Sequence, residues 1–531
     1  LYLPLSKTII HVKDEFMKLF KAMATVAGMT FLSRILGFLR DMLTAIVMGA
    51  GPLADAFFVA LKLPNLFRRI TAEGAFSVSF VPLFSESIEK DGQDKAVAMA
   101  RNMMGWMFVI LSIFTVLALA AMPYIVMTIA PGFGVDTIQF ESAVELSRVT
   151  FPYLLLISLS ALLGGVLNTI GKFAAYAFAP ALFNLTLVGV LLTHDIIWDT
   201  PAHALAWGVF ISGFVQFIWM WVYAKRSGIS MYPTLPKVDV KVKRLGLLMV
   251  PGLLGAGVYH LNLFADMIIA SFLPSGSISY LYYADRLQQL PLGVVGIAVG
   301  TALLPLLSRS LAAKQFVEAQ GLFNRALEAV FLLSFPAAVA LMVAGEPIIK
   351  TLFNYGAFSS DDANTTALVL QCYVIGLPAY IAAKVFQSAC FARQDTKTPV
   401  KIAILCSVFN IVFALIFSRY IGVAGIALAT GISGWIQIIC LYYVLKKQGH
   451  LNFDTRLITN FFKIIASCAL MGIILCLFLY YYGDTFEYAG LNRVLSLMTM
   501  IAVSGMIYMT AIFGLKVMSI KEIKALFKKK S

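Results

Sequence analysis

Charge is scarce in this chain. Asp, Glu, Lys and Arg together make up 13% of its 531 residues, about half the share a soluble globular domain carries. So few charges cannot give a chain of this length a water-facing surface, which excludes a soluble multidomain protein. Acids are scarcer than bases, 27 against 41. The acidic pair Asp361–Asp362 falls in a short outer loop without further carboxylates, so the metal cluster of an intramembrane prenyl-transfer enzyme is missing. HExxH, a P-loop and Cys-x-x-Cys are also missing, which removes the zinc-peptidase, nucleotide-hydrolase and dithiol readings. Cys372, Cys390, Cys406, Cys440, Cys468 and Cys476 all fall inside apolar runs and read as small buried hydrophobes. His260 is the histidine deepest within such a run, where helix packing and ligand contact or protonation both stay open. No alternating pattern supports a closed β-barrel. No small-residue cleavage site follows a short apolar core at the N-terminus, so a cleavable signal peptide is not expected.

What the chain has instead is apolar length. Hydrophobic residues make up 60% of it, and its mean hydropathy is +0.86. Runs of about 20 apolar residues recur from end to end, each long enough to cross about 30 Å of hydrocarbon as a helix. A helix satisfies its backbone groups internally, as lipid requires. The pattern predicts an all-α integral membrane protein with fourteen transmembrane helices, at 22–49, 53–82, 103–129, 146–168, 174–194, 203–223, 246–272, 279–306, 327–351, 365–390, 398–418, 423–445, 461–482 and 494–515. The second and eighth contain charge together with Pro or Gly. With the N-terminus in the cytoplasm, cytoplasmic segments hold 30 of the 41 Lys and Arg residues, and the opposite loops hold three, Lys350, Arg419 and Arg493. That is the positive-inside bias, and an even span count returns the C-terminus to the cytoplasm. The net charge of +14 is accounted for by a basic rim facing anionic membrane lipids, with no nucleic-acid partner.

Eight basic residues remain beyond these two sets: Arg34, Arg40, Lys62, Arg68, Arg69, Arg148, Arg286 and Lys384, with Asp41, Asp55, Glu73, Asp266 and Asp285 nearby. A charge near the bilayer centre costs about 2.5–3.5 kcal/mol on insertion scales, so such groups face protein or water. Arg34 and Asp41 share a helix face. Asp55, Lys62, Arg69 and Glu73 form one stripe, provided the helix runs through Pro64. Internal ion pairs such as Arg69–Glu73 account for part of the set. The arginine surplus in the first two spans points to an anionic ligand, because the guanidinium fork matches phosphate oxygens in pairs.

The chain also repeats itself. VPLFSES (Val81–Ser87) returns as LPLLSRS (Leu304–Ser310), FPYLLLI (Phe151–Ile157) as LPAYIAA (Leu377–Ala383), ALFNLTL (Ala181–Leu187) as SVFNIVF (Ser407–Phe413), and ISGFVQ (Ile211–Gln216) as ISGWIQ (Ile432–Gln437), at offsets of 221 to 226. Spans 1–6 and 7–12 therefore read as two six-helix lobes related by a pseudo-twofold along the membrane normal, with two extra C-terminal helices, and the site is expected in a cleft at the repeat interface. Asp41 aligns with Asp266, and Lys62 with Arg286. The expected organisation is a cytoplasmic segment 1–21, an N-lobe 22–223, a basic linker 224–245, a C-lobe 246–445, the extra helices within 446–515 and a basic tail 516–531. Gly28 and Gly37, and Gly252, Gly255 and Gly257 after Pro251, permit bending or close packing.

SRILGFLRDMLTAIVMGAGPLADAFFVALKLPNLFRRITAEGAFSVSFVPLF (Ser33–Phe84) resembles the opening of the MurJ (MviN) family, and YYADRL (Tyr282–Leu287) and RQDTKTPVKIAI (Arg393–Ile404) resemble two more of its signatures. The likeness runs from Met17, the expected initiator, through essentially the rest of the chain. This family belongs to the multidrug/oligosaccharidyl-lipid/polysaccharide exporter superfamily. The resemblance implies a transporter rather than an enzyme. It would flip lipid II, the undecaprenyl-pyrophosphate-linked peptidoglycan precursor, to the outer leaflet of the bacterial inner membrane by alternating access, for cell-wall biosynthesis. It implies that Arg34, Arg40, Arg68 and Arg286 bind the pyrophosphate and that Asp55, Lys62, Asn65, Arg69 and Glu73 are further substrate positions. Asp41 and Asp285 would be gate or structural partners, and the last two helices a groove for the lipid tail. Some members bind sodium. Asp266, Asn410, the Ile426 carbonyl and Thr430 fit that pattern, but Ala414 stands where a second aspartate belongs, so one carboxylate is missing. The implied partners are lipid II and membrane lipids, with the chain a monomer and no other cofactor. Two alternatives stay open within the superfamily: a flippase for another polyprenyl-pyrophosphate-linked oligosaccharide, and a drug or ion antiporter, whose cavity would favour acids and aromatics over arginines. A non-transporting scaffold would have no use for a two-lobe repeat.

Overall fold

The computed structural model describes residues 5–69 and 76–518, with side chains described for 25–69, 76–250, 262–296, 299–300 and 302–518. Glu73 and the side chain of His260 lie outside the described residues. The chain divides into two compact units, Leu1–Leu261 and Asn262–Ser531. Unit 1 contains α1 (Leu5–Met48), α2 (Pro52–Arg68), α3 (Ser77–Asp91), α4 (Gln93–Ala120), α5 (Met122–Ile129), α6 (Ile138–Thr150), α7 (Tyr153–Thr169), α8 (Phe173–Leu192), α9 (His194–Ile197), α10 (Pro201–Arg226) and the first part of α11 (Val240–Ser271). Unit 2 contains the rest of α11, α12 (Ser277–Pro291), a π turn (Leu292–Gly296), α13 (Ile297–Ala312), α14 (Phe316–Val343), α15 (Gly345–Phe353), α16 (Ser360–Val374), α17 (Leu377–Phe391), α18 (Lys397–Ile421), α19 (Val423–Lys447), α20 (Thr455–Tyr482) and α21 (Leu491–Gly514). No strand occurs among the described residues.

Among the described residues, ten stretches are long and apolar enough to cross a membrane, with α6–α7 and α16–α17 each taken as one. The expected spans 22–49, 53–82, 246–272 and 279–306 are not among them. Helix α1 starts at Leu5, ahead of the expected 22. The expected span 53–82 holds two helices, α2 and α3. The expected span 279–306 changes at Pro291 into the π turn before α13, where a residue without an N–H disturbs the hydrogen-bond ladder.

The sequence repeat is also a repeat of packing. In unit 1, α2 packs on α6, both α7 and α8 on α10, and α3 on α4 and α7. In unit 2, α12 packs on α16, both α17 and α18 on α19, and α13 on α14 and α17. Proline breaks the same helix in each: Pro152 precedes α7, and Pro378 sits at the second position of α17. In lipid, apolar burial gains nothing from leaving water, so close approach and polar bonds hold helices together. A β-carbon on Gly213 would lie 3.0 Å from the Tyr153 ring, and one on Gly434 2.7 Å from the Tyr380 ring. Both glycines belong to the repeated ISGFVQ and ISGWIQ words, and both let a ring pack on the helix backbone.

The linker after α10 is docked within unit 1. Arg101 on α4 donates from Nε to the Ser230 carbonyl (2.8 Å) and from Nη1 to the Tyr232 hydroxyl (3.0 Å), with its guanidinium 4.2 Å from the Tyr232 ring centroid. Asn102 engages both backbone groups of Lys237, each at 2.8 Å. Trp106 Nε1 donates to the same Lys237 carbonyl. Lys241 pairs with Asp91 (2.5 Å) and Arg244 with Glu86 (3.1 Å), tying the start of α11 to α3. In unit 2, α20 and α21 pack against each other, and α20 against α14. Arg493, 1% exposed, donates there to the carbonyls of Lys350, Asn354 and Tyr488.

Candidate functional site

Charge enters unit 1 on α1 and α2. Arg34 is exposed and makes no hydrogen bond or ion pair among the described residues. Arg40, further along α1, is buried at 9% exposure, beside Asp41 at 4%. A charge so placed is stable only when paired and hydrogen-bonded. Arg40 Nε and Nη2 donate to Asp41 Oδ1 at 3.0 and 2.5 Å, and Nη1 donates to Asn184 Oδ1 on α8 at 2.9 Å. The guanidinium carbon lies 5.6 Å from the Phe183 ring centroid.

Helix α2 runs through Pro64 to Arg68, which meets the condition for Asp55, Lys62 and Arg69, while Glu73 lies outside the described residues. The proline has no N–H for the Ala60 carbonyl four residues earlier. Thr150 on α6 supplies the donor instead, its Oγ1 2.8 Å from that carbonyl. Asp55 is 2% exposed, in a first turn begun by Pro52, where the helix dipole favours a negative charge. Asn65 Nδ2 bonds the Leu61 carbonyl (2.9 Å) while its Oδ1 accepts from Arg68 Nε (3.3 Å), so Asn65 orients Arg68. Lys62 is half-buried, and Arg69 is exposed with helical backbone at the end of α2.

In unit 2, Arg286 on α12 is half-buried with its guanidinium 4.5 Å from the Tyr282 ring centroid. Asp285 accepts from Gln289 Nε2. Asp266 is half-buried near the end of α11. Asn410 is buried on α18. Its Nδ2 donates to Thr430 Oγ1 (3.0 Å), which donates onward to the Ile426 carbonyl (3.0 Å). The acidic pair, expected in a loop, lies in the first turn of α16, where Asp362 forms a capping box with Ser359 and accepts from the Tyr280 hydroxyl at 2.7 Å. Arg148 and Lys384 are both exposed.

The structure thus brings together Arg40 with Asp41, and Asn65 with Arg68. Sequence reasoning missed Asn184 and Thr150. An asparagine or threonine alone in an apolar helix carries no charge signal, although Asn184 does lie in a repeated word, at the position of Asn410.

A family model described as "Lipid II flippase MurJ" matches residues 44–526. The chain belongs to this family. It is 38% identical over 508 residues to the probable lipid II flippase MurJ of Rhizobium meliloti, covering 94% of each chain. It is 36% identical over 442 residues to the lipid II flippase MurJ of Burkholderia cenocepacia, covering 82% of this chain and 85% of the relative. Among solved structures it resembles a lipid II flippase MurJ in an inward closed conformation, with a TM-score of 0.76 and 28% identity, covering 92% of this chain and 97% of the other. An inward-facing MATE transporter of the MOP superfamily, at 14% identity and a TM-score of 0.66, covers 80% of this chain and 97% of its own, and shares the fold.

The sodium site raised by the MurJ resemblance can be tested against the donors present. Asn410 offers a buried amide oxygen without a hydrogen-bond partner. Ala414, one turn along the same face, is fully buried and offers no oxygen from its side chain. No group of three His, Cys, Asp or Glu side chains clusters to hold a metal among the described residues. The residues present do not complete such a site.

Proposed function

We propose that this chain is a lipid II flippase of the bacterial inner membrane. It would move the pyrophosphate-linked precursor from the cytoplasmic to the outer leaflet for cell-wall synthesis. The carrying observation is near full-length identity of 38% to a probable lipid II flippase, in a chain whose first helices hold arginines where lipid would demand apolar residues. The finer reading is fourteen membrane helices in two six-helix lobes plus the α20–α21 pair, both termini in the cytoplasm, acting as a monomer. The positive-inside bias, the paired helix contacts and the repeat support it.

Arg34, Arg40, Arg68 and Arg286 serve in this reading as ligands of the diphosphate, because guanidinium groups bind phosphate oxygens through paired charge-assisted bonds. Asp55, Lys62, Asn65, Arg69 and Glu73 complete the polar lining, Asp41 and Asp285 hold the arginines beside them, and α20–α21 guide the lipid tail. Bound phosphate screens repulsion among the arginines and so favours a closed state over an open one. Any net charge that crosses the membrane field changes the energy by about 2.3 kcal/mol per elementary charge per 100 mV, so voltage is the proposed reset.

The test is lipid II flipping by the purified chain in vesicles, with voltage and sodium varied independently. Flipping that responds to voltage and is lost in Arg34→Ala and Arg286→Ala, with partial recovery by lysine, supports the reading. A vesicle-inserted chain that flips no lipid II but moves another polyprenyl-linked oligosaccharide overturns it.

A further inference from the structure

Lys350 and Arg493, counted with the loops by their sequence, are buried in the structure, at 4% and 1% exposure. They meet where α21 begins. Lys350 Nζ, on α15, pairs with Glu346 one turn back (2.8 Å) and with Glu487 in the turn between α20 and α21 (2.6 Å). Arg493, on α21, has no carboxylate partner among the described residues. Its Nη1 donates to the carbonyls of Lys350 and Asn354 at the C-terminal end of α15, where the helix dipole favours a cation, and its Nε donates to the Tyr488 carbonyl (3.2 Å). A second fastening lies further along. Helix α14 contains Pro336, which has no N–H for the Leu332 carbonyl four residues earlier. The Tyr508 hydroxyl of α21 supplies that donor, 2.6 Å away. The third lies at the start of α20. Asn460 Nδ2 donates to the buried Glu328 of α14 (2.6 Å), Arg325 of α14 pairs with Asp454, and Gln320 donates to the Asn452 carbonyl (3.0 Å).

In lipid, apolar side chains gain little by facing a helix rather than acyl chains, so apolar packing alone lets a helix pair slide. A stranded carbonyl or a buried guanidinium does not permit it. We infer that α14, α15, α20 and α21 form one rigid body within unit 2, and that Arg493 and Tyr508 are the positioning residues that hold the α20–α21 pair in a fixed place on α14 and α15. The inference rests on the flippase reading, in which that pair guides the lipid tail. The guide is then a fixed wall that travels with unit 2, and not a lid hinged at the turn after α20. A fixed wall serves only a tail long enough to lie along it. Helix α20 has 28 residues, about 42 Å of helix. An undecaprenyl tail can follow much of that length, whereas a farnesyl tail is too short to and leaves its lipid held by the head alone.

The experiment compares flipping of lipid II and of its farnesyl analogue, which carries the same head, by the purified full chain in vesicles, alongside amide hydrogen exchange. Arg493→Gln and Tyr508→Phe should each slow lipid II several-fold and leave the farnesyl analogue at its native rate. Exchange should quicken over residues 483–490 in Arg493→Gln and around Pro336 in Tyr508→Phe. Equal slowing of both lipids would mark a general loss of structure and overturn the positioning role. Native rates on both lipids, or native exchange in both variants, would overturn the lock. Should Arg493→Gln not fold, Tyr508→Phe, which deletes a single hydroxyl, decides alone. The native rate on lipid II tests the flippase reading, and the ratio of variant to native tests this inference, so the two fail separately. A native chain that flips neither lipid fails the flippase reading and with it the tail-guide role, and exchange alone then decides the lock.

Discussion

The hydroxyl of Thr150 lies 2.8 Å from the carbonyl of Ala60, the acceptor that Pro64 leaves without its helical donor. A proline that would otherwise stop a helix is thereby absorbed, and α2 carries Asn65 and Arg68 on beyond it. Removing the hydroxyl strands a buried carbonyl, which costs about 1–3 kcal/mol. Thr150→Val should lower the unfolding midpoint of the detergent-solubilised protein and weaken diphosphate-lipid binding, and Thr150→Ser should restore both. Native behaviour in Thr150→Val would show that the helix needs no replacement donor.

The linker strap offers a second test, remote from any arginine of the proposed site. A β-carbon on Gly105 would sit 2.0 Å from the Thr234 carbonyl oxygen, a backbone atom. Gly105→Ala should therefore lift the strap off α4 and expose the peptide bond after Lys237, whose backbone N–H and carbonyl are both held by Asn102. Limited trypsin digestion reads this directly. Cleavage after Lys237 should quicken several-fold in the variant, and an unchanged digestion pattern would refute the docking.

Acid should loosen the same region. The Lys241 hydrogen bond foremost holds the Asp91 carboxyl below its usual 3.8, and Lys90, then Arg244, hold Glu86 below its usual 4.5. For a depressed carboxylate the stabilisation is complete above the unfolded value and disappears as pH falls through the folded one. The unfolding midpoint should thus be flat above about pH 4.5 and drop below it. The Glu86→Gln, Asp91→Asn double variant should start lower and show a shallower acid limb. An acid limb as steep as that of the native chain would assign the acid sensitivity to other groups.

Sodium dependence should be installable. Asn410 and Ala414 lie one turn apart on α18, and the former holds a buried oxygen without a hydrogen-bond partner. Ala414→Asp supplies the absent carboxylate on the same helix face. Sodium, compared with choline at equal ionic strength, should raise the unfolding midpoint of Ala414→Asp by several degrees and leave the native chain unmoved. A sodium shift in the native chain would mean that its existing donors suffice.

Much of the candidate site is legible as a pattern in the sequence. Arg34, Arg40, Asp41, Arg68 and Arg286 declare themselves as charges in apolar runs, because lipid makes such charges costly wherever they point. Pro64 read as a condition on the helix, since a chain of letters does not reveal whether another element will offer the replacement donor. Asn184 was silent for a related reason: a neutral amide in an apolar helix satisfies itself or a neighbour equally well, and only the neighbour's identity gives it meaning.

The sequence by itself determined that this is a multi-helix membrane protein whose chain repeats four words in order at a spacing of 221 to 226, with most of its basic residues between the apolar runs. Hydropathy, repeat words and Lys/Arg placement are local properties, written in order along the chain. Tertiary structure alone decided that Arg40 meets Asn184, 144 positions away, and that Ala60 meets Thr150, 90 positions away. A hydrogen bond is set by distances of about 3 Å between atoms, and helix packing, rather than the order of residues, brings such atoms together.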